Sequence, residues 1–123
     1  MPAANSRGGV NPMSEEAEVA LVISTFPSLE KAREAVRTLV DERLVACGNI
    51  LPGIESIYVW QGVTETTWEV MALLKTTNDL YPRVEERLRQ LHPYETPEII
   101  ALPLSQGARP YLDWVRQNCS PPP

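Results

Sequence analysis

Val19-Ala20-Leu21-Val22-Ile23 is an unbroken apolar run, the pattern of a strand covered on both faces or central in its sheet. Pro27-Ser28 ends it, and Ser28 can cap a helix with Glu30 in the first turn. Leu29, Ala32, Val36, Leu39 and Val40 then recur at helical spacing, with Lys31, Arg33, Glu34 and Arg37 on the wet side, so a helix should run to about Arg43. From Val45 to Gln61 the chain reads as a strand region interrupted near Pro52-Gly53. Its second part sets Ile57 and Val59 against Tyr58 and Trp60, and Gly62 marks a turn. Thr66 to Thr77 returns with Trp68, Val70, Ala72 and Leu74 on one face and Glu69, Met71, Leu73 and Lys75 on the other. The two segments make a hairpin whose arms exceed the usual length of about 5–6 residues. Asn78 or Asp79 is placed to cap a second helix with Leu80, Val84, Leu88 and Leu91 as its apolar stripe. Ile99 to Leu104 is a fourth strand, expected at a sheet edge because Pro103 cannot donate to a ladder. Pro110 can open a last helix carrying Tyr111, Leu112, Trp114 and Val115.

The order β-α-β-β-α-β plus a terminal helix predicts an α+β protein of ferredoxin-like architecture, an antiparallel sheet with helices on one face. A chain of 123 residues is long enough for one domain with a core of its own. We assign residues 17–119 to it, with a disordered tail at 1–16 and a proline tail at 120–123. This fold hosts many functions and settles none.

The formal net charge of -5 argues against nucleic-acid binding, which needs a basic face. No apolar run approaches the ~20 residues needed to span a bilayer. Met1 to Ala17 lacks the apolar core of a signal peptide, so the expected compartment is the cytoplasm. Cys47 and Cys119 are the two cysteines, and they form no CxxC pair. A reducing cytosol disfavours a disulfide between them, and Cys47 reads as a small packed hydrophobe.

The densest chemistry is in His92-Pro93-Tyr94-Glu95-Thr96-Pro97-Glu98-Ile99, which holds the chain's one histidine between two prolines. Each proline fixes its own φ and pushes the preceding residue towards an extended conformation. A stiff joint of this kind can hold polar side chains in fixed directions for binding. The plainer reading is a helix stop, with His92 beside the last carbonyls of the helix.

Cys47-Gly48-Asn49-Ile50 with Pro52-Gly53-Ile54, then Ser56 to Gly62, Lys75-Thr76-Thr77, His92 to Ile99 and Tyr111-Leu112-Asp113-Trp114 together resemble the CutA family of divalent-cation-tolerance proteins. The resemblance runs in order from about Val19 to Trp114. It implies a ferredoxin-like homotrimer joined through the long hairpin and edge strands, similar to the PII signalling trimers. It further implies a part in tolerance of copper or other divalent cations, with no cofactor required, and with His92 and Cys47 as metal ligands. Where many members read Thr-Cys-Pro after the first strand, this chain reads Thr25-Phe26-Pro27, so one ligand of the family's proposed set is replaced by a ring that cannot coordinate.

Trp60, Lys75, Tyr94 and Glu95 also fall in the matching stretches. They offer an aromatic wall, a cation, a phenol and a carboxylate, and could line a cleft for a small anionic ligand. Each also has a structural reading: Trp60 as a subunit contact, Lys75 and Glu95 as solvated charges. The alternative to metal tolerance is therefore a PII-like sensor binding a small molecule between subunits. An enzyme is not expected, because the sequence shows neither a phosphate-cradling glycine loop nor a nucleophile paired with a base.

Overall fold

The computed structural model describes residues 18–123. The tail assigned to residues 1–16 lies outside the described residues. The elements are β1 (Val19–Phe26), α1 (Leu29–Asp41), β2 (Cys47–Trp60), β3 (Val63–Thr77), a single 3₁₀ turn (Asn78–Leu80), α2 (Tyr81–Leu91), β4 (Ile99–Pro103) and α3 (Arg109–Asn118). The strands form one four-stranded sheet in the order β2-β3-β1-β4. Every neighbouring pair in it is antiparallel. The order β-α-β-β-α-β followed by a helix is as expected, and Pro103 sits on an edge strand.

β1 runs to Phe26 and stops before Pro27-Ser28, as expected, with Ser24 and Thr25 buried and in register opposite Ala72 and Met71. One local expectation is corrected. Neither Asn78 nor Asp79 caps α2: both lie in the 3₁₀ turn, and α2 begins without a side-chain cap, with a proline in its first turn. Proline is suited to that position because its missing N–H has no partner there. The cap on α1 is as expected, Ser28 Oγ accepting from the Lys31 N–H at 3.2 Å.

Alternation along the strands divides the sheet into two faces. Val22, Phe26, Val70, Ala72 and Leu74 point to the face covered by α1 and α2, where they pack with Ala32, Leu39, Val84 and Leu88. The opposite face is covered at one end only. There α3 packs, with Val115 fully buried against Val19 and Ala46. The rest of that face carries Leu21, Ile23, Met71 and Leu73, half-buried, and Leu51, Ile100 and Leu102, exposed.

β1 stops at Phe26 opposite Val70, so β3 before that point pairs with β2 alone. A bulge between Leu51 and Ile54, at Pro52-Gly53, starts this free ribbon. Gln61 and Gly62, both with positive φ (51° and 83°), close it in a two-residue turn. Ile57, Val59, Trp60, Val63 and Trp68 are all exposed along it.

Candidate functional site

The stiff joint after α2 wraps the end of β1. The His92 N–H still donates to the Leu88 carbonyl at 2.9 Å, closing the helix. Pro93 then holds His92 extended, at φ -81° and ψ 136°. The ring does not turn to the helix carbonyls. Its Nε2 lies 2.7 Å from the Thr25 carbonyl oxygen of β1, and its Nδ1 accepts the Tyr94 N–H at 3.1 Å. A carbonyl can only accept, so Nε2 carries the proton and the imidazole is the neutral tautomer with both nitrogens engaged. The ring is 8% exposed and stacks on Phe26 with centroids 4.4 Å apart and planes 19° apart. Burial lowers the His92 pKa, against the opposing pull of the Thr25 carbonyl and the Glu69 charge.

Glu69 is a member of this cluster that strand alternation places only on a face of the hairpin, beside Met71, Leu73 and Lys75. The Tyr94 hydroxyl donates to its Oε2 at 2.8 Å. Burial first, and then this bond, push the Tyr94 phenol up to about 12. Tyr58, which shares a 2.8 Å hydrogen bond with Thr67 Oγ1, adds to the same shift. The one signal for Glu69 in the sequence is its place as an acid in the run Trp68-Glu69-Val70-Met71.

Cys47 and Lys75 face each other at the other end of the sheet. Cys47 is half-buried rather than packed as a hydrophobe, and its Sγ shares a hydrogen bond with Tyr111 Oη at 3.5 Å. That bond first, and burial second, push the Tyr111 phenol up to about 12. Lys75 Nζ donates to Asn49 Oδ1 across the strands.

The register sets the distances between the candidate residues. Thr25, which holds His92, pairs with Met71, and Cys47 pairs with Lys75. Four residues of β3 separate these points, about 14 Å at strand rise. His92 and Cys47 of one chain therefore do not meet on one ion. Trp60 pairs with Val63 at the ribbon tip, twelve residues from Lys75 along β3, about 40 Å. Tyr94 lies at the Glu69 level between them, and Glu95 is exposed. Trp60, Lys75, Tyr94 and Glu95 thus line no common cleft within a single chain. Among the described residues no three His, Cys, Asp or Glu side chains converge as a metal site.

The molecule has well-matched relatives. Residues 20–118 match the model of the family described as CutA1 divalent ion tolerance protein. The divalent-cation tolerance protein CutA of Thermus thermophilus is 51% identical over 98 residues, spanning 80% of this chain and 95% of that protein. The human protein CutA is 44% identical over 116 residues, and the match covers 94% of this chain but 63% of the human one. In structure, the chain superposes on the Thermus thermophilus protein with a TM-score of 0.81 at 49% identity, over 83% of this chain and 99% of that one. On CutA1 of Oryza sativa the TM-score is 0.83 at 34% identity, over 85% and 96% of the two chains. Among the described residues no helix is long and apolar enough to cross a membrane. With the family match continuous from β1 to α3 over residues 20–118 and the fold shared with solved relatives, this chain belongs to the CutA1 divalent ion tolerance family.

Proposed function

We propose that the protein serves in divalent-metal tolerance as a homotrimer, and that it binds copper weakly, through ligands drawn from more than one subunit. The observation that carries this reading is the uncovered apolar surface. Leu51, Ile100 and Leu102 are 38%, 50% and 51% exposed on the open sheet face, and Trp60 and Trp68 are 57% and 66% exposed on the ribbon. Large apolar side chains left exposed on a sheet face mark an interaction site, and a two-stranded ribbon alone in water is only marginally stable. Self-association covers both.

Weak copper binding follows from the state of the two candidate ligands. For His92 to coordinate, a nitrogen must give up either the Thr25 carbonyl or the Tyr94 N–H. Cys47 lies too far along the sheet to join it within one chain, so a second subunit must bring the next ligand. Imidazole and thiolate are donors that copper favours. The sensor alternative is weaker, because its expected lining residues are spread along the whole hairpin of one chain. Related proteins are named as periplasmic in Archaeoglobus fulgidus and chloroplastic in Arabidopsis thaliana. Cytoplasmic placement of this protein is accordingly our proposal and not a trait common to its relatives.

The test is sedimentation of the purified full chain together with calorimetric titration by copper, repeated on His92→Ala. The expected result is a trimer with weak copper uptake that His92→Ala removes. A monomer at micromolar concentration, or equal copper uptake by both proteins, overturns the corresponding half of the proposal.

A further inference from the structure

The two cysteines of the chain meet at one corner of the sheet, around Lys75. Cys47 opens β2 opposite Lys75, and the N–H of its neighbour Ala46 donates to the Lys75 carbonyl at 2.8 Å. Cys119, just past the end of α3, brings its Sγ to 4.0 Å from that same carbonyl oxygen and to 3.9 Å from Thr76 Oγ1. The helix is held in this corner at three points. Tyr111 meets Cys47 through the 3.5 Å bond, Val115 is buried against Val19 and Ala46, and Cys119 follows at the helix end. These residues recur every four positions, which places them on one face of the helix. Both cysteines are free and half-buried.

We infer that this corner is a redox site, in which a two-electron oxidant of the peroxide class joins Cys47 to Cys119 and staples α3 to the first residue of β2. In the first step the Cys47 sulfur attacks a peroxide oxygen, the O–O bond breaks, one water leaves and a sulfenic acid remains. In the second step the Cys119 sulfur displaces the sulfenic oxygen as a second water. The S–S bond forms, two electrons have passed to the peroxide, and both thiol hydrogens leave in the two waters. Cys119 is the non-helical cap that follows α3, so the chain end there and the last helical turn, where helices fray, supply the adjustment that disulfide geometry requires. Oxidation also removes the thiol hydrogen bond of Tyr111. Once oxidised, Cys47 has no thiolate to offer a metal; this consequence rests on the copper reading above, whereas the disulfide does not.

The experiment treats the full chain with stoichiometric hydrogen peroxide, counts thiols after denaturation, maps peptides, and follows tyrosine ionisation and melting. We expect both thiols to disappear together, with a mass loss of two hydrogens and a Cys47–Cys119 peptide from within one chain. One tyrosine should then ionise at a lower pH than before, the melting temperature should rise, and dithiothreitol should reverse every change. Cys119→Ser should show no intrachain link and no rise in melting temperature under the same treatment. The inference is overturned if the thiols oxidise one by one with gain of oxygen, if disulfides form only between chains, or if oxidised wild type melts like oxidised Cys119→Ser. These readouts need no copper, so their failure is distinct from failure of the metal proposal.

Discussion

Phe26 and His92 lie face to face, their ring centroids 4.4 Å apart, so the residue standing where the family resemblance led us to expect a cysteine is also the wall behind the imidazole. Phe26 is fully buried. Phe26→Cys should therefore have two opposed effects. Loss of the ring leaves a cavity and should cost about 3 kcal/mol in denaturant unfolding. The new thiol beside His92 should tighten copper binding, since it pairs two soft-metal donors at one place. Calorimetry that finds copper affinity unchanged in Phe26→Cys while the variant remains folded removes position 26 and His92 from a shared site.

Acid should weaken the fold through His92. Its ordinary pKa of 6.5 is lowered in the folded chain, mainly by burial. Between the two values the unfolded chain takes up a proton that the folded chain refuses. The His92 contribution is thus complete above about 6.5, is lost progressively as pH falls from there to the folded value, and then levels off. A second acid loss belongs to Glu42, whose pKa falls below 4.5 through its hydrogen bonds and charge pairing with Arg87. That loss begins lower, below about 4.5, so the two are separable. Melting temperatures measured against pH should show both slopes in wild type. Only the lower one should remain in His92→Gln.

Tyr94→Phe removes the hydroxyl that donates to Glu69 while keeping the ring beside His92. The expected loss is about 1 kcal/mol, that of a partly exposed hydrogen bond to a charged group. Because the folded phenol is pushed up to about 12, wild type should also lose stability as pH rises above about 10, and the variant should lose less. Equal alkaline slopes in the two proteins would mean that the Tyr94–Glu69 bond does not persist in solution.

A carboxylate in the middle of the open sheet face should break the assembly. Leu73 lies there between Ile23 and Asn49, half-buried and midway along β3 between the levels of His92 and Cys47. If the chain forms the homotrimer proposed above, Leu73→Glu should shift its sedimentation towards monomer. The wild-type melting temperature should fall on dilution, because association of the folded chain adds to its stability by mass action. A trimer that persists in Leu73→Glu places the subunit contact elsewhere.

Much of the architecture was legible because local patterns agreed with one another. The apolar run at Val19, the Ser28 cap, the Gly62 turn and Pro103 on an edge each act within a few residues. What escaped the sequence depends on distant partners. Asn78 and Asp79 have capping side chains, but the chain enters α2 through a 3₁₀ turn instead. At the candidate site the joint His92–Ile99 was visible, whereas the orientation of the imidazole was not. That orientation is set by Thr25, 67 positions away. Glu69 was missed because alternation reports which face a residue takes, not which loop folds over to meet it.

The free ribbon beyond Phe26 has a consequence for measurement. Its amides between Ile54 and Glu69 find backbone partners only in each other, with no third strand alongside. In an isolated chain such amides open to solvent by local fraying, without unfolding of the sheet behind them. In the proposed homotrimer their exchange with deuterium therefore reads subunit contact, while the amides of Val22 and Leu74, deep in the sheet, read global unfolding. One exchange experiment on the intact protein separates the cost of building the subunit from the cost of letting its neighbours go.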